Sequence, residues 1–294
     1  MSTTALPVTP TSVARRRIRI IRPPSLSVVQ LLGSLSEVRD YLDLIVTLSA
    51  HRIKVRYKQS LLGISWAIFQ PLSLMFIYTM LFSLMNNVPT SGIPYALLSF
   101  GGLLPWLCFQ SALTGGTNGL VSHGSLISKV YFPREILPLT YVIAALFDFV
   151  IGCSVLTAMM LYYGVPITAK VLYVIPIMTT LALFVLSVSW ITSMLQVRFR
   201  DIGVAIPLAL QIWMFATPVV YPMSSVHANL TPRWYAVYMA NPMVGLVENF
   251  RRVALLGEAP DISSFMISLL ATIILFPIAY VFFKHADATA ADII

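Results

Sequence analysis

The chain has 294 residues, of which 58% are hydrophobic and 10% charged, with a mean hydropathy of +0.84 and a net charge of +8. A soluble domain carries about 25% charged residues, so this composition excludes a water-facing surface, and lipid must solvate the outside of the fold. The basic residues gather at the N-terminus and beside apolar runs, a pattern that speaks for membrane orientation and against nucleic-acid binding.

Residues 1–36 are rich in Ser, Thr and Pro and carry the run Arg15-Arg16-Arg17-Ile18-Arg19-Ile20-Ile21-Arg22. No apolar stretch of useful length follows these charges, so the segment reads as a mobile basic cytoplasmic tail touching anionic lipid, not as a signal peptide. Residues 37–58 predict an amphipathic interface helix. Val38, Tyr41, Leu42, Ile45 and Leu48 recur at helical spacing, with charges around and after them.

Residues 59–285 hold the spans of a helical membrane domain. Between Lys58 and Lys129 lie 70 residues without Asp, Glu, Lys or Arg, room for two helical crossings of about 20 residues each. The apolar runs are continuous and do not alternate, which favours helices over barrel strands. Six transmembrane helices are expected, at about 60–86, 94–117, 137–163, 171–195, 202–220 and 262–283. Residues Asn86–Gly92 form the first turn, and 286–294 a cytoplasmic tail. With the N-terminus inside, 15 Lys/Arg fall on the inner side and 4 on the outer, which places both termini in the cytoplasm.

The segment 221–261 is apolar yet too broken to cross. Asn241-Pro242 separates two short pieces, and Glu248 stands at pairing distance from Arg251 or Arg252 on a helix. It predicts two re-entrant outer half-helices between spans five and six, whose backbone must be buried in protein or line a cavity. The fold class is therefore all-α integral membrane.

Several of these segments look familiar together. Arg56-Tyr57-Lys58-Gln59-Ser60-Leu61-Leu62-Gly63-Ile64-Ser65-Trp66, followed by Pro71, resembles the opening of the permease subunits of ABC exporters for O-antigen, capsular polysaccharide and teichoic acid. Lys129-Val130-Tyr131-Phe132-Pro133-Arg134-Glu135, Val197-Arg198-Phe199-Arg200-Asp201, Thr217-Pro218-Val219-Val220-Tyr221-Pro222 and Asn241-Pro242-Met243 through Phe250-Arg251 follow in the same order. The resemblance covers about residues 37–285. It implies a homodimer in the inner membrane above two copies of an ABC ATP-binding subunit. It also implies a cargo of polysaccharide linked to a polyprenyl pyrophosphate. The sequence has no G-x-x-x-x-G-K-[ST] phosphate loop, so ATP and Mg belong to the partner and no cofactor is expected on this chain.

Under that resemblance the charged interruptions take roles. Lys129, Tyr131, Phe132, Pro133, Arg134 and Glu135 form a coupling element in which Tyr131 and Phe132 fill a groove on the ATPase, with charges at the rim. Arg198, Arg200 and Asp201 form a second, although Arg200 and Asp201 also suit a plain helix cap. Arg52, Arg56, Tyr57 and Lys58 (with Lys54) suit a lipid-pyrophosphate entrance, or equally snorkelling to ordinary lipid phosphates. Trp66, Phe69, Tyr78, Phe82, Trp213, Phe215 and Tyr221 are candidate channel-lining aromatics, against which sugar faces stack. Pro218, Pro222, Asn241, Pro242, Glu248 and Arg251 are assigned to an outer gate. Asp148, deep in span three, predicts a structural hydrogen bond to Ser or Thr of a neighbouring helix. Cys108 and Cys153 read as packing residues, and the four histidines are scattered, so no metal and no catalytic site is assigned. Rival readings are an ABC permease for smaller lipids or drugs, a proton-coupled secondary transporter, and a membrane transferase. The second would need internal repeats and more intramembrane carboxylates, and the third a base–nucleophile cluster.

Overall fold

A computed structural model describes Val38, residues 40–58, 60–83 and 92–127, Lys129, and residues 132–290. The expected tail at 1–36, the turn residues 86–91, Ser128, Val130, Tyr131 and the end of the C-terminal tail, 291–294, lie outside the described residues.

Among the described residues all regular structure is helical. In chain order it comprises α1 (Leu42–Tyr57), a 3-10 turn (Gly63–Ser65), α2 (Trp66–Ser83), α3 (Tyr95–Ser122), α4 (Gly124–Ile127), α5 (Ile136–Tyr162), a second 3-10 turn (Ala169–Tyr173) and α6 (Val174–Arg198). Next come α7 (Ile202–Phe215), α8 (Met223–Asn229), α9 (Pro232–Met239), α10 (Pro242–Ala254) and α11 (Ile262–Ala290). Five helical stretches are long and apolar enough to cross a membrane: Gly63–Phe82, Tyr95–Ser122, Ile136–Tyr162, Ala169–Arg198 and Ile262–Asp287. The molecule is a multi-pass all-α membrane protein.

Helix α3 is the centre of the bundle. It packs chiefly on α5 and α6, and α11 closes on α6. Small residues allow the close approaches. Leu104 lies over Gly152, and the Tyr141 ring lies over Gly115 and Gly119, so α3 and α5 run antiparallel. Phe109 stacks on Phe184 at 5.9 Å, and the hydroxyls of Thr117 and Thr192 stand 2.7 Å apart, so α3 and α6 run the same way. Trp190 of α6 packs among Phe276, Tyr280 and Phe283 of α11. These registers put Ser122, Glu135, Arg198 and Lys284 at one end of the bundle, and Tyr95, Arg251 and Asp261 at the other.

Two expected boundaries change. Span five, expected at about 202–220, is shorter as a helix, since α7 stops at Phe215. Its 14 residues reach about 21 Å, short of a hydrocarbon core of about 30 Å. Pro218 and Pro222 lack the N–H a helix needs, and the backbone of 216–222 continues in a non-helical course. The C-terminal tail was placed from residue 286, yet α11 continues through Ala290. No Pro or Gly follows Lys284, and Asp287 is held by Arg134 at 2.9 Å.

Helices α2 and α7 are peripheral. Phe69, Phe76, Ile77 and Met80 of α2, and Val204, Leu208, Ile212 and Phe215 of α7, are all exposed. An apolar face of this kind suits lipid or another protein surface, not water.

Candidate functional site

The expected gate residues converge at the Arg251 end of the bundle. Helix α9 ends at Met239, and Ala240-Asn241 turns the chain into α10 at Pro242, where a missing N–H costs nothing. The Asn241 side chain makes four hydrogen bonds. Its Oδ1 accepts from the Met243 N–H at 3.1 Å and from the Trp213 indole at 3.0 Å; its Nδ2 donates to the Ala216 carbonyl and the Thr217 hydroxyl, both at 3.1 Å. Trp213 in turn lies edge-on to Phe109 at 5.1 Å and Phe184 at 6.2 Å, half-way along α3 and α6. The α9–α10 turn therefore lies beside Trp213, at the level of Phe109 and Phe184.

Arg251 is 4% exposed and ties α10 to the non-helical segment. One guanidinium nitrogen donates to the Tyr221 carbonyl at 3.1 Å; the other bonds the Pro218 carbonyl and the Glu248 carboxylate, the latter at 2.8 Å. The sequence expectation that Glu248 pairs with Arg251 or Arg252 resolves to Arg251, and Arg252 pairs with Glu258 at 2.8 Å. Pro218 and Pro222 are buried, Pro218 presenting its carbonyl to Arg251. The Tyr95 hydroxyl donates to the Val220 carbonyl, and the Val219 carbonyl presses on Gly102 so closely that a Cβ there would lie 2.0 Å away. Beside this knot is a cavity of about 390 Å³, lined among others by Tyr235, Glu248, Arg251, Arg252, Glu258 and Asp261.

Sequence reasoning missed Asn249 and Asp261. Asn249 is fully buried, accepts the Asp261 N–H at 2.6 Å and donates to the Ser264 hydroxyl at 2.9 Å. Asp261 caps α11 through the Ser264 N–H at 3.0 Å. Burial acts to raise the Asp261 pKa, but hydrogen bonds from Ser264 and Ser263 outweigh it and hold the carboxyl below its ordinary value. The signal was the Asp-x-Ser-Ser opening of the last apolar run, a plain N-cap.

At the opposite end the coupling residues divide. Lys129, Arg198, Phe199, Arg200 and Asp201 are exposed. Asp201 stands at the N-cap of α7, its charge at the helix N-terminus, and makes no side-chain cap bond there. Phe132 is 5% exposed and belongs to the chain's own core, so it is not a free anchor for a partner groove. Glu135, expected at a rim, is 2% exposed and pairs with Lys284 of α11. Its carbonyl accepts from the Trp190 indole at 3.3 Å. Arg134 likewise turns to Asp287. The loop is thus fastened to the last helix by two ion pairs that its local sequence does not announce. Pro133 is half-buried between them.

The basic end of α1 also divides. Arg52 lies over the Tyr141 ring at 3.5 Å and bonds the Thr140 hydroxyl. Arg56 pairs with Asp148, and the Tyr57 hydroxyl donates to the same carboxylate. Asp148 therefore has a cationic partner, supplied by α1, where a neighbouring Ser or Thr was expected. Burial and the adjacent Asp148 raise the Tyr57 pKa, so it remains a donor. Lys54 and Lys58 are exposed.

The candidate aromatics do not share one surface. Trp66 and Phe69 are exposed and edge-on at 5.7 Å. Phe82 packs on Tyr95 at 5.2 Å, and Tyr78 is half-buried. Phe215 is exposed, whereas Trp213 is spent on Phe109, Phe184 and Asn241. The Tyr221 hydroxyl donates to the Phe215 carbonyl at 2.7 Å.

Compared with known families, residues 43–255 match the ABC-2 type transporter family. The chain belongs to that family. Within it, this ABC-2 chain is 28% identical over 259 residues to the O-antigen export system permease protein RfbA of Myxococcus xanthus, covering 87% of this chain and 98% of that protein. It is 29% identical over 216 residues to an O-antigen export system permease protein RfbA of Klebsiella pneumoniae, covering 73% and 81%. The ABC-2 match ends at Leu255, just past α10, so the buried Arg251 knot falls inside it and α11 beyond it.

Proposed function

We propose that this chain is the permease of an ATP-driven exporter that moves polyprenyl-pyrophosphate-linked polysaccharide of the O-antigen kind outward across the cytoplasmic membrane. The observation that carries this reading is the likeness to O-antigen export permeases along nearly the whole chain. Hydrolysis falls to a separate ATP-binding subunit in two copies, since this sequence has no phosphate loop of its own. A second copy of the chain supplies the other half of the path. The exposed apolar faces of α2 and α7 support that pairing.

In this reading both termini are cytoplasmic and the chain crosses six times, α7 and the non-helical residues 216–222 together making the fifth crossing. The α9–α10 pair enters from the outer side to the level of Trp213 and turns at Asn241. The irregular backbone of 216–222 beside it is tolerated there because Asn241 and Arg251 satisfy the carbonyls of Ala216, Pro218 and Tyr221. Arg251, Glu248, Pro218 and Pro222 then form the outer gate. The exposed Lys129, Arg198, Arg200 and Asp201 face the ATPase, and Arg56, Tyr57, Lys58 and Arg52 form the inner entrance for the lipid pyrophosphate.

The test is transport in sealed vesicles holding the chain and its ATPase. ATP-dependent movement of a lipid-linked glycan across the bilayer is expected. Movement of simple lipids or drugs with no glycan movement would overturn the polysaccharide reading in favour of a small-substrate permease. Movement driven by a proton gradient without ATP would overturn the ABC reading.

A further inference from the structure

Asp148 lies twelve residues beyond Ile136 on α5, about 18 Å along the helix axis at 1.5 Å per residue. Round the helix from it, Phe147 and Val150, three residues apart and so on one face, present apolar side chains that are 38% and 65% exposed. Yet the Arg56–Asp148 pair is not sealed from the outside. The two side chains keep 37% and 21% exposure. An ion pair open to hydrocarbon at that depth is costly, so this strip of the α1–α5 junction faces water or polar groups.

The donors there are arranged as an anion site. Arg56 bonds one carboxylate oxygen of Asp148, and Tyr57, the next residue, bonds the other. A guanidinium and a hydroxyl converging on two oxygens of one anion also suit two oxygens of a phosphate. The surrounding charge is in excess. Arg52, Lys54, Arg56 and Lys58 all lie on one stretch of α1 and its end, and Asp148 is the carboxylate paired with this set.

We infer that Asp148 is an intramolecular stand-in for the diphosphate of the lipid carrier, holding the Arg56–Tyr57 donors until a diphosphate displaces it and so setting the affinity of the entrance. This rests on the entrance reading given above. It makes Asp148 a positioning residue that weakens ground-state binding. Its energetic role is to keep two donors aligned and one cation neutralised while the site is empty.

The experiment measures binding of a fluorescent polyprenyl diphosphate to the full-length chain in phosphatidylcholine nanodiscs. If Asp148 occupies the donors nine-tenths of the time, Asp148→Asn tightens binding about tenfold. Arg56→Gln weakens it. Polyprenyl monophosphate and phosphatidylglycerol compete poorly. A dissociation constant unchanged or raised in Asp148→Asn, with wild type binding and Arg56→Gln weakened, overturns the stand-in role and leaves the entrance standing. No binding by wild type or Asp148→Asn overturns the entrance itself. Equal competition by phosphatidylglycerol overturns the diphosphate assignment. Thermal melting checks the fold of each variant, and Asp148→Ser replaces Asp148→Asn if the latter melts early, with the same readings.

Discussion

The Trp213 indole donates to Asn241 Oδ1 at 3.0 Å across 28 residues of chain, and with the bonds of the same side chain to Ala216 and Thr217 this holds the α9–α10 turn against the end of α7. Asn241 also closes the orphan groups left where α7 stops. Asn241→Leu keeps the volume and removes every side-chain bond, leaving the half-buried Trp213 N–H and the exposed Ala216 carbonyl without this partner, at up to about 1–3 kcal/mol where a group has no water to replace it. Asn241→Asp keeps the acceptor and loses the Nδ2 donor. The expected order of melting temperature in purified protein is wild type, then Asp, then Leu. Equal melting of all three would show that the turn is held by packing alone.

Arg251 and Glu248 make a second, separable prediction. Removing one partner of a buried pair costs about 3–5 kcal/mol, because the other charge is left uncompensated, while replacing both with apolar groups is often milder. Arg251 also holds two carbonyls, so Arg251→Met is expected to destabilise more than Glu248→Leu. The double variant should recover part of the loss. Additive losses in denaturation midpoints would contradict a coupled pair.

Gly102 and Gly101 give a neighbouring contrast. A Cβ at Gly102 would sit 2.0 Å from the Val219 carbonyl, which is backbone, whereas one at Gly101 would meet the tip of Leu255 at 2.8 Å. Side-chain tips yield and backbone does not. Gly101→Ala should express and fold with a modest loss. Gly102→Ala should displace residues 216–222 and lose most of its folded yield, as read by size-exclusion chromatography.

Much of the fold was legible because lipid demands long charge-free runs. The 70 residues between Lys58 and Lys129 announce helices α2 and α3 whatever their packing. The end of α7 was less legible, since 202–220 carries no charge, Pro207 stands inside the helix, and the stop at Pro218 is completed by a distant group, Arg251, that takes its carbonyl. At the site, the Glu248–Arg251 spacing was readable because it is local. Arg56–Asp148 and Glu135–Lys284 join residues 92 and 149 positions apart, and no local pattern reports such pairs. Phe132 misled for a related reason. An aromatic beside charges reads as a docking anchor, and only the tertiary core shows that its ring is already used.

Asp261 predicts a pH dependence. Its carboxyl is held below the ordinary aspartate value in the folded chain by the Ser263 and Ser264 hydrogen bonds, burial notwithstanding. A depressed pKa contributes stability above the unfolded value, and that stability is lost as pH falls through the folded one. The cap should therefore hold at neutral pH and weaken in the acid range below the ordinary aspartate value of 3.8. Asp261→Asn should lose stability at pH 7, by about 1 kcal/mol or less since Asn also caps, and should show less acid dependence of melting than wild type. An identical acid profile would exclude Asp261 as a source.

The last prediction concerns α11, whose two ends are tied to the two charged regions. At one end Lys284 pairs with Glu135 and Asp287 with Arg134. At the other, the Ser268 hydroxyl donates to the Pro242 carbonyl at 2.7 Å, and Asn249 grips Asp261 and Ser264. A helix is stiff along its axis, so α11 offers a route by which a displacement of the 132–135 loop would reach α10. Lys284→Met leaves the buried Glu135 carboxylate without its cation, a costly state, while Glu135→Gln with Lys284→Met removes both charges and should restore the fold without the ionic link. If the link transmits force, the double variant hydrolyses ATP with its partner near the wild-type rate but moves less glycan per ATP in sealed vesicles. A wild-type ratio of glycan to ATP in a folded double variant would show that the stroke reaches the gate by another route.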